Sequence, residues 1–202
     1  MDRIDPTGRA MTLDEYLAFE ERSPLKHEYV AGEAYLMSGV TTRHNLITLN
    51  LGRHLHAITR PRRCQVFAAD VKLKAGNNVY YPDIMIVCGR AAQVDLVVKE
   101  PLLVAEVTSP STRGTDRREK LDAYRKLPSL GAYLIVDQRR RHVLAYLRPP
   151  GEEWIRLELT GSEVITPPGL DLPLPLDAIY EGIDLPPLTV GEEWDEYGGA
   201  WP

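Results

Sequence analysis

A chain of 202 residues, 44% hydrophobic and 26% charged, is long enough to bury a substantial core, and its composition excludes a disordered or collagen-like protein. The formal net charge of −5 argues against a uniformly basic nucleic-acid-binding face. Basic residues still gather locally at Arg60, Arg62 and Arg63, at Arg139 to Arg141, and between Arg113 and Lys126, while Glu192, Glu193, Asp195 and Glu196 concentrate acid near the end.

No apolar run approaches the roughly 20 residues that span a bilayer, and MDRIDPTGRA lacks the apolar core of a signal peptide. A reducing cytoplasm is the expected setting. Cys64 and Cys88 lack CxxC or Cys/His spacing, so neither a zinc site nor a disulfide scaffold is expected, and both read as small core residues.

In chain order, Thr12 and Glu15 have capping-box spacing, which predicts a helix from about Leu13 to Glu21 ended by Pro24. HEYVAGEAYLMS reads as a hairpin around Ala31 and Gly32. From about Thr41 to Thr59, Leu46, Leu49, Leu51, Leu55 and Ile58 recur near helical spacing, and Pro61 closes that helix. His54 and His56, two apart on it, face different sides and read as surface residues.

CQVFAADVKLK suits one or two strands, with Asp70 starting one, and AGNN is a turn. VYYPDIMIVCG follows, its Pro82 suited to a strand start, an edge or a bulge. In LLVAEVTSPST, strand alternation puts Leu102, Val104, Glu106 and Thr108 on one face. Pro110 stops that strand, and a helix from about Thr115 to Leu127 is predicted, with Leu121, Tyr124 and Leu127 inward.

GAYLIVD is a buried strand, DQRRRH a turn, HVLAYLR another strand, and WIRLEL the last. Beyond Pro167, Leu170, Leu172, Leu174, Leu176 and Ile179 suit an extended apolar arm that could dress a dimer interface. Residues 1–185 then form one domain, a mixed α/β sheet with helices on its faces, and 186–202 an acidic tail.

The chain has no P-loop, no GxGxxG after a strand, no HExxH and no GxSxG. Two carboxylates in apolar strands remain, Asp83 in YYPDIMIV and Glu106 in LLVAEV. A charge on a buried face costs several kcal/mol unless paired or bound to a cation. On neighbouring strands the two acids would converge at one end of the sheet, where their oxygens suit Mg²⁺ or Mn²⁺. Pairing with an arginine or capping of a backbone group is the competing reading.

The order "PD", a gap with a strand, "EVTSPST", a helix with Lys120 and Tyr124, then "GAYLIVD" resembles the Uma2 family of the PD-(D/E)XK nuclease-like superfamily. "HEYVAGEAY" and the helix beginning "TTRHNLI" match as well, so the resemblance runs from about Thr12 to Leu147. It implies a restriction-endonuclease-like core, a mixed central sheet flanked by helices, here extended by an N-terminal helix and hairpin. It also implies Asp83 and Glu106 as metal ligands. The superfamily's usual lysine lies two residues after the acid; here that position is Thr108, so Lys120 becomes the expected catalytic lysine.

His44 is then a candidate metal or substrate contact, Glu28 a third carboxylate or a hairpin ion pair, and Tyr124 a packing residue that orients Lys120. Thr108 is a candidate donor to Glu106 or to a bound water, and Arg113, Arg117 and Arg118 are candidate phosphate contacts. The expected function is Mg²⁺-dependent hydrolysis of DNA phosphodiester bonds, with a homodimer favoured. An inactive nuclease fold kept for binding or assembly, and a metal-dependent hydrolase of RNA or nucleotides, are the alternatives.

Overall fold

The computed structural model describes residues 10–89, 97–108, 115–170 and 172–185. Thr12 caps the first helix, α1 (Leu13–Arg22): its hydroxyl accepts the Glu15 N–H, and the Glu15 carboxylate accepts the Thr12 N–H. β1 (His27–Val30) and β2 (Glu33–Leu36) form the expected hairpin. Ala31 and Gly32 between them both have positive φ, the combination that matches the twist of a two-residue hairpin. A Cβ on Gly32 would also meet that of Ala10 at 2.8 Å.

α2 (Thr42–Thr59) begins at the N-cap Thr41 and runs into a 3-10 turn, Arg60–Arg62, that contains Pro61. Its buried stripe is His44, Ile47, Thr48, Leu51, Leu55 and Thr59. Leu46 and Leu49, expected on that stripe, are 48% and 63% exposed. Three- and four-residue steps from His44 reach Ile47, Leu51 and Leu55 but pass by Leu46 and Leu49. The apolar count was right and the face was not.

From α2 the chain passes between two sheets. β3 (Cys64–Ala68) belongs to the first, β4 (Lys72–Ala75) and β5 (Asn78–Tyr80) to the second, and β6 (Ile84–Cys88) returns to the first. Ala69 and Asp70, both at positive φ, make the outward crossing. Asp70 therefore lies in an exposed connection, ion-paired with Lys26, and does not start a strand. Pro82 lies in the return crossing, where a residue without an N–H suits a break in pairing.

β7 (Val97–Val98) edges the second sheet, whose order is β2-β1-β5-β4-β7. The hairpin thus supplies two of the five strands of a sheet and is not an appendage. β8 (Leu103–Thr108), α3 (Thr115–Tyr124), β9 (Ala132–Asp137), β10 (His142–Leu147) and β11 (Ile155–Thr160) complete the main body. The first sheet runs β11-β10-β9-β8-β6-β3, with β8 and β9 parallel and the other pairs antiparallel. β11 is not the last strand: β12 (Val164–Ile165) pairs with β13 (Leu174–Pro175), and α4 (Leu176–Ile179) follows.

One face of the six-stranded sheet packs against α2 through Ile84, Ile86, Leu103, Ala105 and Val107. Leu170, Leu174, Leu176 and Ile179 are fully buried in this same cluster. The apolar arm expected to dress a dimer interface instead closes the chain's own core, because each large side chain buried there contributes about 1.5–3 kcal/mol. Leu102 precedes β8 and also packs on this side, away from Val104. The opposite face carries Val104, Tyr133, Ile135, Leu144 and Tyr146 and meets Tyr124 of α3 and Leu73 and Tyr80 of the second sheet.

Cys64 and Cys88 stand opposite one another in the β3–β6 ladder and form a disulfide, with Cys88 exposed. Cys64 only edges the α2-side core, and neither cysteine is a free core residue. Only the strand register brings them together, and their spacing in sequence carries no sign of it. No helix among the described residues is long and apolar enough to cross a membrane.

Candidate active site

β6 and β8 are antiparallel neighbours with Ile84 opposite Ala105, and Asp83, immediately before β6, stands at the end of that ladder beside Glu106. Asp83 Oδ2 accepts the Val107 N–H at 2.7 Å and lies 3.2 Å from His44 Nε2. His44 occupies the first turn of α2, where its own N–H donates to the N-cap Thr41 hydroxyl. The cap thus aims the imidazole at the end of β6. Burial alone would lower the pKa of His44. The hydrogen bond and charge of Asp83 outweigh it, aided by the Val107 backbone and the Glu106 charge, and the net direction is upward.

Glu106 sits on the face shared with Val104, beneath α3. Lys120 and Tyr124, one helical turn apart, both reach it: the ammonium is 3.3 Å from Oε1, and the Tyr124 hydroxyl donates to the same oxygen at 3.0 Å. Lys120 also lies 2.7 Å from Glu28 Oε1 and 5.6 Å from the centre of the Tyr80 ring. Tyr124 is fully buried and packs edge-on against Tyr80 and Tyr133, which fixes its hydroxyl.

Burial pushes the Glu106 carboxyl up, and the charges of Asp83 and Glu28 push the same way; Lys120 and the Tyr124 hydroxyl oppose them, leaving it at about 7. Burial alone would lower the Lys120 pKa, but Glu106 and Glu28 hold it well above the usual lysine value. Lys120 is therefore a fixed cation.

The fold brings together Asp83, Glu106, Lys120, Tyr124, His44 and Glu28. Glu28 makes an ion pair, but with Lys120 on α3 and not within the hairpin. The second sheet lies over α3, and Glu28 shares a strand face with Val30, which packs in the cluster beneath it. Tyr124 orients more than Lys120, since it hydrogen-bonds Glu106 directly. Thr108 does not reach Glu106: its hydroxyl donates to the Val136 carbonyl at 3.3 Å, because β9 runs alongside β8 and offers a backbone acceptor.

Arg118 is exposed on α3, Arg117 belongs to the same helix, and Arg113 lies outside the described residues. His54 approaches the Pro173 carbonyl at 3.0 Å, and His56 is exposed, so neither belongs to the site. The sequence offers backbone capping for the strand carboxylates and an ion pair for Glu28, but not the partners: the Val107 N–H for Asp83 and Lys120 for Glu28. The only sequence sign of the latter is an acid alternating with Val30 on the hairpin's first strand, HEYV.

Among the described residues, contacts to Asp83 fall on Oδ2 and those to Glu106 on Oε1, leaving Oδ1 and Oε2 as hard oxygen donors. No group of three or more His, Cys, Asp or Glu side chains among the described residues could form a metal cage. Two carboxylate donors without a cage fit Mg²⁺ or Mn²⁺, which complete their shells with water and phosphate oxygens.

The Uma2 family, described as "Putative restriction endonuclease", matches residues 13–177. "Uncharacterized protein sll1609" of Synechocystis sp. is 33% identical over 161 residues, covering 77% of this chain and 91% of the relative. "Uncharacterized protein slr1290" of the same organism is 31% identical over 173 residues, covering 84% and 91%. A crystal structure of "a putative nuclease belonging to DUF820 from Anabaena variabilis" superposes with a TM-score of 0.67 at 17% identity, over 84% of this chain and 97% of that one. At that identity the likeness concerns the fold, a nuclease-like one. The breadth of the family match and the relatives' identity settle the assignment: this chain belongs to the Uma2 family.

Proposed function

We propose that this protein is a Mg²⁺- or Mn²⁺-dependent endonuclease that hydrolyses DNA phosphodiester bonds. The observation that carries the reading is the convergence of two carboxylates, Asp83 at the start of β6 and Glu106 on β8, beside a fixed ammonium, Lys120. Asp83 and Glu106 would hold the cation through their remaining oxygens. When bound, the cation would polarise the phosphodiester and lower the pKa of its water.

The chain's own residues have separable parts in this scheme. His44 and the Val107 N–H hold Asp83 in place, and the Tyr124 hydroxyl holds Glu106. Lys120 supplies positive charge beside the phosphoryl oxygens as negative charge develops on them. Glu28 anchors that ammonium from the second sheet. Exposed Arg118, with Arg117 and Arg113 close by in sequence, would contact phosphates on either side. The family's description supports DNA as the substrate class.

Purified protein incubated with plasmid DNA and Mg²⁺ or Mn²⁺ should nick or linearise it, and Asp83→Ala should not. Equal cleavage by both proteins would remove Asp83 from the reaction. One observation favours a second reading, a nuclease fold kept for binding alone. Thr108 occupies the superfamily's lysine position and is committed to a backbone carbonyl, while Lys120 is held between two carboxylates. A wild type that binds no divalent cation by calorimetry would support that reading over hydrolysis.

A further inference from the structure

Among the described residues, the six-stranded sheet ends in β11, whose outer edge pairs with no strand. β11 is fully paired on its inner side, from Ile155 opposite Leu147 to Thr160 opposite His142. Even so, Ile155 and Leu157 are 43% and 42% exposed. Long edge strands are ordinarily blunted by proline, a bulge or charged side chains. IRLELT has no proline and an unbroken register, and its two charges are of opposite sign, so they can pair across a seam instead of repelling.

We infer that β11 pairs antiparallel with β11 of a second copy of this chain, about a twofold axis at Leu157. The strand is self-complementary about that residue. Leu157 meets the partner's Leu157, Ile155 meets the partner's Leu159, and Arg156 meets the partner's Glu158. Arg156 and Glu158 already pair within the strand, so the join sets four charges of alternating sign along the seam. Moving the axis one residue either way would set Arg156 against the partner's Arg156, or Glu158 against the partner's Glu158. The charges therefore select one register.

The two faces of the seam continue the two faces of the sheet. Leu157 lies beside Ala145 and Ile155 beside Leu147, both in the core that packs on α2, so the join covers the exposed apolar edge of that core. Arg156 and Glu158 lie on the Glu106 face. The ladder connects them row by row: Glu106 to Ile135, Ile135 to Leu144, Leu144 to Glu158.

The pairing itself is tested without DNA or metal, so its failure and that of the nuclease reading are distinguishable. Light scattering on the purified full chain at micromolar concentration should give twice the mass of one chain. Arg156→Glu and Glu158→Arg should each reduce it to a single chain, with circular dichroism unchanged. The combined exchange restores opposite charges across the seam and should restore the dimer. A monomeric wild type, or a dimer indifferent to both single reversals, overturns the proposal. A monomer whose β11 amides resist hydrogen exchange would mean that the edge is already covered within one chain, and also overturns it.

Discussion

Glu20, buried, and Glu106, partly buried, each have a basic partner and a tyrosine hydroxyl, and they differ in what is left over. Glu20 Oε1 accepts the His27 N–H at 3.0 Å and the Tyr81 hydroxyl at 2.7 Å, while Oε2 lies 2.8 Å from His27 Nδ1. Tyr16 closes the group by donating to the His27 carbonyl. One acid faces one base, both carboxylate oxygens are used, and the cluster pins α1 against β1. Around Glu106 the balance is different. Among the described residues, three carboxylates, Asp83, Glu106 and Glu28, share one ammonium and one imidazole, and donors crowd onto single oxygens. A balanced buried cluster serves architecture; a surplus of negative charge with idle oxygens is a place for a cation.

The contrast breaks most sharply in activity. Asp83→Asn and Glu106→Gln should each lower metal-dependent plasmid cleavage on the order of a hundredfold or more while leaving the fold intact. Glu20→Ala should do the reverse. Removing one partner of a buried pair costs about 3–5 kcal/mol, readable in urea denaturation, with cleavage per folded molecule unchanged. Activity loss from Glu20→Ala without loss of stability would erase the distinction.

A smaller effect concerns pH. Glu106 titrates near 7 in the folded chain, against 4.5 as the ordinary value. Between those values the folded state keeps a proton that the unfolded state has lost, so raising the pH across this window destabilises the metal-free protein. His44, shifted upward, acts in the same sense: its contribution is full below 6.5 and is lost as pH rises through its folded value. The metal-free melting temperature should fall from about pH 5 to 7, and Glu106→Gln should flatten that fall. A wild-type profile that rises instead would contradict the charge surplus. The least effect is expected from Tyr124→Phe, which removes one hydrogen bond to Glu106, about 1–2 kcal/mol by denaturation.

Much of this is legible in the sequence alone. Thr12 and Glu15 mark a helix start by their spacing, and Asp83 and Glu106 stand out because a charge inside an apolar strand demands a partner. Lys120 and Tyr124 share a helix face one turn apart, so a strand beneath α3 meets both. What was not legible depends on register and on sheet assignment. Glu28 reaches Lys120 only because the hairpin joins a second sheet that lies over α3. Cys64 and Cys88 meet only through the β3–β6 ladder. The stripe of α2 was misread because Leu46 and Leu49 outweighed His44 and Thr48 in an apolar count, although polar residues can occupy a buried face when they serve a site or bond their own helix.

The central claim is that the Asp83–Glu106 pair, and not the Glu20 cluster, is built to take a divalent cation. Calorimetric titration of Mn²⁺ into metal-free protein above pH 7, where Glu106 is ionised, tests it most directly. The account predicts a single site in the wild type, lost in Asp83→Asn and Glu106→Gln and kept in Glu20→Gln. Binding that survives both site substitutions, or a wild type that takes no Mn²⁺, would contradict it.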